Sequence, residues 1–159
     1  MRVWKRWNGG CKQDMEKNTF SARVKEIAEK APKLFALESD YMADLEMIFD
    51  VERYYNLKLP WSYIEFVQQY GGGYFGFVVV FSCDCNGRFY IRNKVSAEWV
   101  EERNFLPVID LETGDYIGFR IEDGSCQSEV SLYLHEENSF RDTGLDFYEA
   151  LLKYGLKSV

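Results

Sequence analysis

The chain has 159 residues, which suits one domain that can bury a core without disulfides or metals. Hydrophobic residues make up 47% and aromatic residues 17%, so the composition excludes an intrinsically disordered chain. The net charge of −7 disfavours nucleic acid as a partner, and no apolar run approaches the ~18 residues that a membrane span needs.

The charge is unevenly distributed along the chain. Residues 1–35 contain nine Lys or Arg and four Asp or Glu, whereas residues 36–159 contain ten and twenty-two. An acidic domain favours basic partners, although acidic surfaces also simply keep proteins in solution. The basic start lacks the apolar stretch of a secretory signal, and we therefore predict a cytoplasmic protein.

The first predicted element follows a basic lead. Residues 1–19 are expected to be this lead, frayed or partly disordered, and residues 20–159 a single domain. Ser21–Lys30 has apolar residues at helical spacing and predicts a short helix. The Ala31-Pro32 pair ends this helix, because the residue before a proline avoids the helical conformation.

A second helix is predicted from about Asp40 to Tyr55. Ser39 or Asp40 is expected to be its N-cap, since both side chains can accept a backbone N–H bond. The apolar stripe that is expected to face the core consists of Met42, Leu45, Ile48 and Phe49.

A third helix is predicted to begin at Pro60, whose missing N–H costs nothing in the first turn. Gly71-Gly72-Gly73 is expected to end it, because glycine tolerates a left-handed cap. The side chains that this helix directs into the core are predicted to be Tyr63, Ile64, Phe66, Val67 and Tyr70.

The pattern then changes from helical to extended. Asn86-Gly87 is the usual two-residue signal of a β-hairpin. Strands are predicted over Phe75–Cys85, Arg88–Asn93, Phe105–Leu111, Tyr116–Glu122 and Val130–His135. Two further helices are predicted over Ser96–Asn104 and Thr143–Tyr154.

This order of elements, helices then strands then a closing helix, indicates an α+β fold. We predict one compact domain. Its N-terminal helices and its C-terminal helix are expected to pack on an antiparallel or mixed sheet of about five strands.

One segment carries a family signature. Val51–Phe66 contains a helix end with Glu52, a short loop, Leu59-Pro60, and then Tyr63 with Phe66 three residues on. This segment resembles the signature of the SUKH superfamily. The family continues with an Asn-Gly-Gly reversal, whereas this chain has Tyr70-Gly71-Gly72-Gly73, so the Asn is replaced.

Later motifs are similar to the same family in order and spacing. They are Leu106-Pro107-Val108, Gly114-Asp115-Tyr116-Ile117, and a strand that ends in Tyr133-Leu134-His135. The family often has Trp-Asp-His at the last site, so this chain departs from the pattern there. The C-terminal Phe147–Leu152 resembles the family's closing helix, and the resemblance covers about Leu37–Leu152.

The resemblance implies helices packed on a sheet and a role in protein binding. Bacterial relatives are mostly immunity proteins that are encoded beside polymorphic or contact-dependent toxins, and fungal relatives regulate cell-wall synthesis. No catalytic residues carry over from the family. The leading expectation is therefore an immunity protein that occludes a toxin, and the alternative is a regulatory or scaffold module.

Catalytic chemistry is not favoured by the residues themselves. His135 is the single histidine, and at a predicted strand end it is more simply a structural residue. Asp110, Glu112 and Asp115 surround a Thr-Gly pair and are more simply a solvated turn than an acid–base pair. Glu52 is expected to accept backbone N–H bonds from the loop that follows it. We predict no enzyme, no catalytic residue and no cofactor, and a small hydrolase or ligand-binding protein would require a deep polar pocket.

The four cysteines are expected to be ordinary reduced thiols. Cys83 and Cys85 would share one face of a strand, but zinc needs four ligands and few others are available. We therefore predict no metal site.

The expected partner is a cognate toxin, a basic protein such as a nuclease, with no nucleic acid and no membrane as partners. Its contacts are predicted in the acidic loops at the sheet edge, with two tyrosines as anchors. The predicted contact residues are Asp110, Glu112, Asp115, Tyr116, Glu122, Asp123, Tyr133, Glu136 and Glu137. The sequence leaves the oligomeric state open.

Overall fold

A computed structural model of the chain describes residues 15–158. Residues 1–14 of the predicted basic lead lie outside the described residues, and the division at residues 19 and 20 stays a prediction. The first helix begins at Lys17, four residues earlier than predicted. Just before it, the Met15 backbone N–H donates to the Asp146 carboxylate at 2.5 Å, which ties the start of the described chain to its C-terminal part.

The sheet is a six-stranded antiparallel meander in which each strand pairs with the next along the chain. This confirms the predicted α+β class, with one strand more than the expected five. The strands are β1 (Gly73–Phe75), β2 (Val78–Val80), β3 (Phe105–Asp110), β4 (Tyr116–Glu122), β5 (Ser125–Leu134) and β6 (Ser139–Asp146).

The helices lie before β1, between β2 and β3, and after β6. The last helix continues from Ala150 as a π-helical turn over Leu151–Gly155. Pro32–Phe35 is a short 3-10 turn. The helices are α1 (Lys17–Lys30), α2 (Leu45–Tyr55), α3 (Trp61–Gln69), α4 (Ile91–Lys94), α5 (Ala97–Arg103) and α6 (Phe147–Ala150).

An aromatic cluster joins the first, third and last helices to the sheet. Phe20 of α1 stacks on Tyr148 of α6 at a centroid distance of 4.3 Å. Phe66 of α3 meets Phe147 edge to face at 5.6 Å and Phe75 of β1 at 5.3 Å. All five rings are at most 4% exposed, so this cluster is the centre of the core. Each such pair adds about 0.5–1.5 kcal/mol beyond the burial of its area.

No helix within residues 15–158 is long and apolar enough to cross a bilayer.

The predicted hairpin at Asn86-Gly87 is wrong. Strand β2 ends at Val80, and a turn at Gly76-Phe77 separates it from β1, so no continuous strand runs over Phe75–Cys85. Residues 88–93 form no strand either, and Ile91–Lys94 is the short helix α4. The reason is that the backbone amides which a hairpin needs are bound elsewhere.

Asp40 binds those amides from a distant part of the chain. Its carboxylate accepts the backbone N–H of Arg88 at 2.9 Å and that of Phe89 at 2.8 Å. The Ser82 hydroxyl donates to the same carboxylate at 2.5 Å. Gly87 lies directly against it, and a Cβ at this position would overlap the Asp40 side chain.

Asp84 makes the reciprocal connection. It is 3% exposed, and its carboxylate accepts the backbone N–H of Tyr41 and that of Asn86, both at 3.1 Å. Asp40 and Asp84, which we call the carboxylate clasp, therefore fix the segment before α2 against the irregular segment after β2. Bonds to ionised carboxylates are roughly twice as strong as neutral ones, and a buried carboxylate requires them.

The clasp explains why α2 begins later than predicted. Asp40 is committed to Arg88 and Phe89, so it does not cap a helix, and neither does Ser39. Asp44 is the N-cap instead, and its side chain accepts the Met47 N–H at 2.9 Å. The expected core stripe is correspondingly wrong. Of its four members only Ile48 is buried, and α2 turns Val51, Glu52 and Tyr55 to the core with it.

Glu52 acts as the sequence predicts. It is buried, and its carboxylate accepts the Leu59 backbone N–H at 2.8 Å, which closes the loop between α2 and α3. Pro60 is the N-cap of α3, one residue earlier than its predicted place in the first turn.

The predicted C-terminal helix begins four residues too early. Residues 143–146 belong to β6, and Gly144 has a positive φ of 71°, which a helix does not accommodate. A capping box then starts α6. The Asp146 side chain accepts the Glu149 N–H at 2.8 Å, and the Glu149 side chain accepts the Asp146 N–H at 3.0 Å.

We expect Asp40→Asn to lower the free energy of unfolding by about 2–3 kcal/mol. The amide keeps one acceptor oxygen but turns an NH₂ group toward donors that the carboxylate now binds. Urea denaturation at neutral pH measures the loss, with the exposed Asp123→Asn as the matched control. A loss for Asp40→Asn no larger than that of the control would contradict the role of the clasp.

Candidate partner-binding surface

The meander places most of the predicted contact residues at one end of the sheet. The β3–β4 loop and the β5–β6 loop lie at the same end, because the strands alternate in direction, and Tyr116 pairs with Tyr133 there. We call this the acidic end. The predicted residues that it brings together are Asp110, Glu112, Asp115, Tyr116, Tyr133, Glu136 and Glu137.

Glu122 and Asp123 do not belong to this group. They lie at the β4–β5 turn, where Glu122 pairs with Ser125. Since β4 runs from Tyr116 to Glu122, these residues are roughly 20 Å from the acidic end. The nine predicted residues therefore fall into two groups at opposite ends of β4, and whether any of them binds a partner stays a prediction.

The β3–β4 loop holds its own shape through backbone bonds. The Glu112 N–H donates to the Asp110 carboxylate at 2.7 Å, and the Leu111 N–H donates to the Asp115 carbonyl at 3.2 Å. Glu112 itself has a positive φ of 60° and an exposed side chain. This is the solvated turn that the sequence indicates, in which Asp110 shapes the loop and Glu112 faces solvent.

Asp115 and His135 bind each other at the acidic end, and we call this pair the clamp. The Asp115 Oδ1 lies 2.7 Å from the His135 Nδ1 and accepts the His135 backbone N–H at 3.0 Å. The bond to the ring, and next the bond to the backbone, hold the pKa of Asp115 below its ordinary value. His135 is exposed, and a Cβ on Gly114 would lie 2.7 Å from its Cε1.

This clamp gives a structural reason for two separate sequence motifs, the one that begins with Gly114-Asp115 and the one that ends in His135. Gly114 leaves room for the imidazole, Asp115 fixes it, and His135 directly follows strand β5. The pair ties the β3–β4 loop to the end of β5. Sequence reasoning singled out all three residues but gave no sign that they meet.

The two predicted anchor tyrosines belong to an aromatic cluster. Tyr133 is 6% exposed, its ring lies 5.3 Å from that of Trp99, and its hydroxyl donates to Asn138 at 2.9 Å. Tyr116 is half-buried against Trp99 and Phe81, and this burial raises the pKa of its hydroxyl. Tyr133 thus lacks the exposed ring that an anchor needs, and Tyr116 offers only part of one.

A surface groove of about 450 Å³ opens beside this cluster. Its walls include Tyr54, Trp99 and Tyr116, together with Arg92 and Lys94. The Arg92 guanidinium lies 4.1 Å from the centre of the Tyr54 ring, a cation–π contact. Both basic residues lie on the short helix α4, which together with the turn before it replaces the predicted strand Arg88–Asn93.

The cysteines differ in environment. Cys83 and Cys85 do not share a face, since no strand includes them, and Cys83 is buried whereas Cys85 is exposed. Burial raises the thiol pKa of Cys83 to about 12 and that of Cys126 to about 12, with a smaller contribution from the Glu52 carboxylate. Within residues 15–158, no three His, Cys, Asp or Glu side chains are grouped to hold a metal ion.

A family model matches most of the folded region. The family model SUKH_6, described as SMI1-KNR4 cell-wall, matches residues 45–149. The matched region runs from the start of α2 into α6. No curated protein matches the chain at a significant level.

We expect the Asp115 carboxyl to titrate below the ordinary range of an aspartate in the folded protein. His135→Ala should raise its pKa part of the way back, because the ring is lost and the backbone N–H remains. Carbon-detected NMR of the side-chain carboxyl measures both values. Because the folded pKa is depressed, this carboxyl stabilises the fold above its unfolded pKa and loses that effect as pH falls through the folded value. An unchanged Asp115 pKa in His135→Ala would contradict the clamp.

We also expect that only one of the described cysteines reacts rapidly with a thiol reagent. In a Cys11→Ser background at pH 8, a disulfide reagent should modify Cys85 at once, because the thiolate is the reactive form. Cys83 and Cys126 should react only as the protein unfolds. A Cys85→Ser variant without a fast phase would complete the assignment, whereas a persistent fast phase in that variant would contradict it.

Proposed function

The chain belongs to the SUKH superfamily, and on this premise we propose that it is an immunity protein, a non-catalytic domain that binds and neutralises a protein toxin. The observation that carries the proposal is the match over residues 45–149, which spans the helix–sheet core. SUKH proteins are generally binding modules rather than enzymes. Because a shared fold hosts several functions, the partner itself has to be established by experiment.

The charge of the domain supports a basic toxin as the partner. Residues 36–159 carry ten Lys or Arg against twenty-two Asp or Glu. Toxins that attack nucleic acids, such as nucleases, have basic surfaces. An acidic inhibitor would accelerate the encounter and occlude the toxin's active site through an interface of about 800 Å² per partner.

The acidic end is our proposed steering surface. Glu112, Glu136 and Glu137 are exposed there on two neighbouring loops. The clamp between Asp115 and His135 holds these loops together, so the charges are presented on a fixed frame. We propose that the protein acts in the cytoplasm without a cofactor, a metal, nucleic acid or a membrane as partner.

A second candidate function is a regulatory or scaffold module that binds a cellular protein other than a toxin. The family description, SMI1-KNR4 cell-wall, favours it. The two candidates differ in genetic context. A large toxin gene immediately beside this one supports immunity, and its absence supports regulation.

The first test is a rescue experiment. We expect co-expression of this protein to restore growth to cells that produce the C-terminal domain of the toxin encoded next door, and the two proteins to co-purify. Rescue without co-purification would contradict direct occlusion. Failure of both would overturn the immunity proposal and favour the regulatory module.

A matched pair of charge reversals tests the acidic end. In the double variant Glu112→Lys, Glu136→Lys, which reverses one charge on each loop, association with the toxin domain should slow by roughly tenfold at low salt, because these charges steer the encounter. The control is Glu122→Lys with Asp123→Lys at the opposite end of β4, where the rate should change much less. Asp115 is left intact, since it holds the fold of the loop. Equal slowing in both variants would show that net charge, rather than the acidic end, sets the rate.

A further inference from the structure

Four large apolar side chains are exposed within one short stretch of the chain. Tyr41 is 82% exposed, Met42 64%, Leu45 55% and Phe49 48%. We call these four residues the α2 face. Monomeric proteins rarely expose neighbouring apolar groups of this size, and such patches mark interaction sites.

The α2 face is contiguous because of its local geometry. Leu45 and Phe49 are one helical turn apart on α2, so their side chains are neighbours. Met42 and Tyr41 lie on the segment that leads into the helix. The core uses the adjoining side of α2, through Ile48, which lies about 60° around the helix from Leu45 and about 100° from Phe49.

Three contacts fix the backbone beneath this face. The Tyr41 N–H donates to the buried Asp84 carboxylate at 3.1 Å, and the Ala43 N–H donates to the Val67 carbonyl at 2.9 Å. Gly71 lies against the Asp40 and Tyr41 backbone so closely that no Cβ fits between them. The backbone that leads into α2 is therefore fixed before any partner arrives, which lowers the backbone part of the entropy cost of binding.

Two exposed carboxylates, those of Asp44 and Glu46, flank the α2 face along the chain. Residues 34–52 contain six Asp or Glu and no Lys or Arg. Glu46 is exposed, and Asp44 is exposed with its carboxylate at the helix N-terminus. Within residues 15–158 neither of them forms an ion pair, whereas Asp50 pairs with Arg53. An apolar centre with a charged rim is the usual anatomy of a protein interface.

We propose that the α2 face is the docking surface for a basic protein partner, which inserts an apolar side chain against Leu45 and Phe49 and places Lys or Arg beside Asp44 and Glu46. The proposal rests on the proposed function in naming the toxin as this partner. A second copy of this chain is a poor occupant, because its own carboxylates would face Asp44 and Glu46 across the interface. The acidic end then steers the encounter and the α2 face anchors it.

The direct test measures affinity for the purified, catalytically inactivated toxin domain encoded next door. Leu45→Ala with Phe49→Ala should weaken binding at least tenfold, because both anchors are truncated. The control is Trp61→Ala with Phe77→Ala, which removes two even more exposed apolar side chains elsewhere and should change affinity less than about twofold. Melting temperatures should match wild type in both variants, since all four side chains are exposed. Equal affinity of Leu45→Ala, Phe49→Ala and wild type would overturn the proposal.

A charge reversal at the rim adds a readout that a purely structural effect would not give. Glu46→Lys should weaken toxin binding and flatten its dependence on salt concentration, because one favourable charge contact is replaced by a repulsive one. The same affinity and the same salt dependence as wild type would contradict a basic partner at this rim.

A second measurement separates the docking surface from the proposed function. If the toxin domain does not bind wild type, the immunity proposal fails, and a photocrosslinking amino acid at position 49 tests the face in the native cell, with position 77 as control. A basic protein identified by mass spectrometry from position 49 and not from position 77 supports the docking surface. No crosslink from position 49, a crosslink to a second copy, or a crosslink to this chain's own residues 1–14 would overturn it.

Discussion

The carboxylate clasp is the constraint on which the rest of the structure depends. Asp84 is almost completely buried, and a carboxylate in that position is tolerated only when backbone N–H groups surround it. Tyr41 and Asn86 supply two of them, and Asp40 binds the opposite segment in return. These bonds decide where β2 ends and where α2 begins. They also decide which side of α2 is left in solvent.

The meander topology likewise brings together residues that are distant in the chain, at the acidic end. Successive antiparallel strands send alternate loops to opposite ends of the sheet. The loops after β3 and β5 therefore share an end, and the clamp of Asp115 with His135 makes them one unit. The turn after β4 is separated from them by the length of that strand. Charges that look equivalent in the sequence are thus divided into two distant groups.

The two surfaces suggest a division of labour in binding. Exposed carboxylates on loops act at long range and set the rate of encounter, whereas an apolar face acts only on contact and sets the lifetime of the complex. The residues expected to anchor a partner, Tyr116 and Tyr133, instead complete an aromatic cluster with Trp99. Leu45 and Phe49 of α2 are exposed, although their helical spacing is the same as that of a core stripe. Only the parts of the protein that pack around an apolar stripe decide whether it faces the core or the solvent.

The sequence by itself determined the elements whose signals are local. The alternation of Tyr116–Glu122 predicted β4 with its observed bounds, Ser96 caps α5 next to its predicted start, and Glu52 closes the loop before Leu59. The α+β class followed from the order of such elements, and the SUKH resemblance followed from short residue motifs such as the one in Val51–Phe66. Tertiary structure alone decided the rest, because the deciding partners are far apart in the chain. Asp40 lies 48 residues from Arg88, and Asp115 lies 20 residues from His135. No local propensity records that a carboxylate is already bound to a distant amide, and that prior commitment removed the hairpin, shortened α2 and exposed its apolar face.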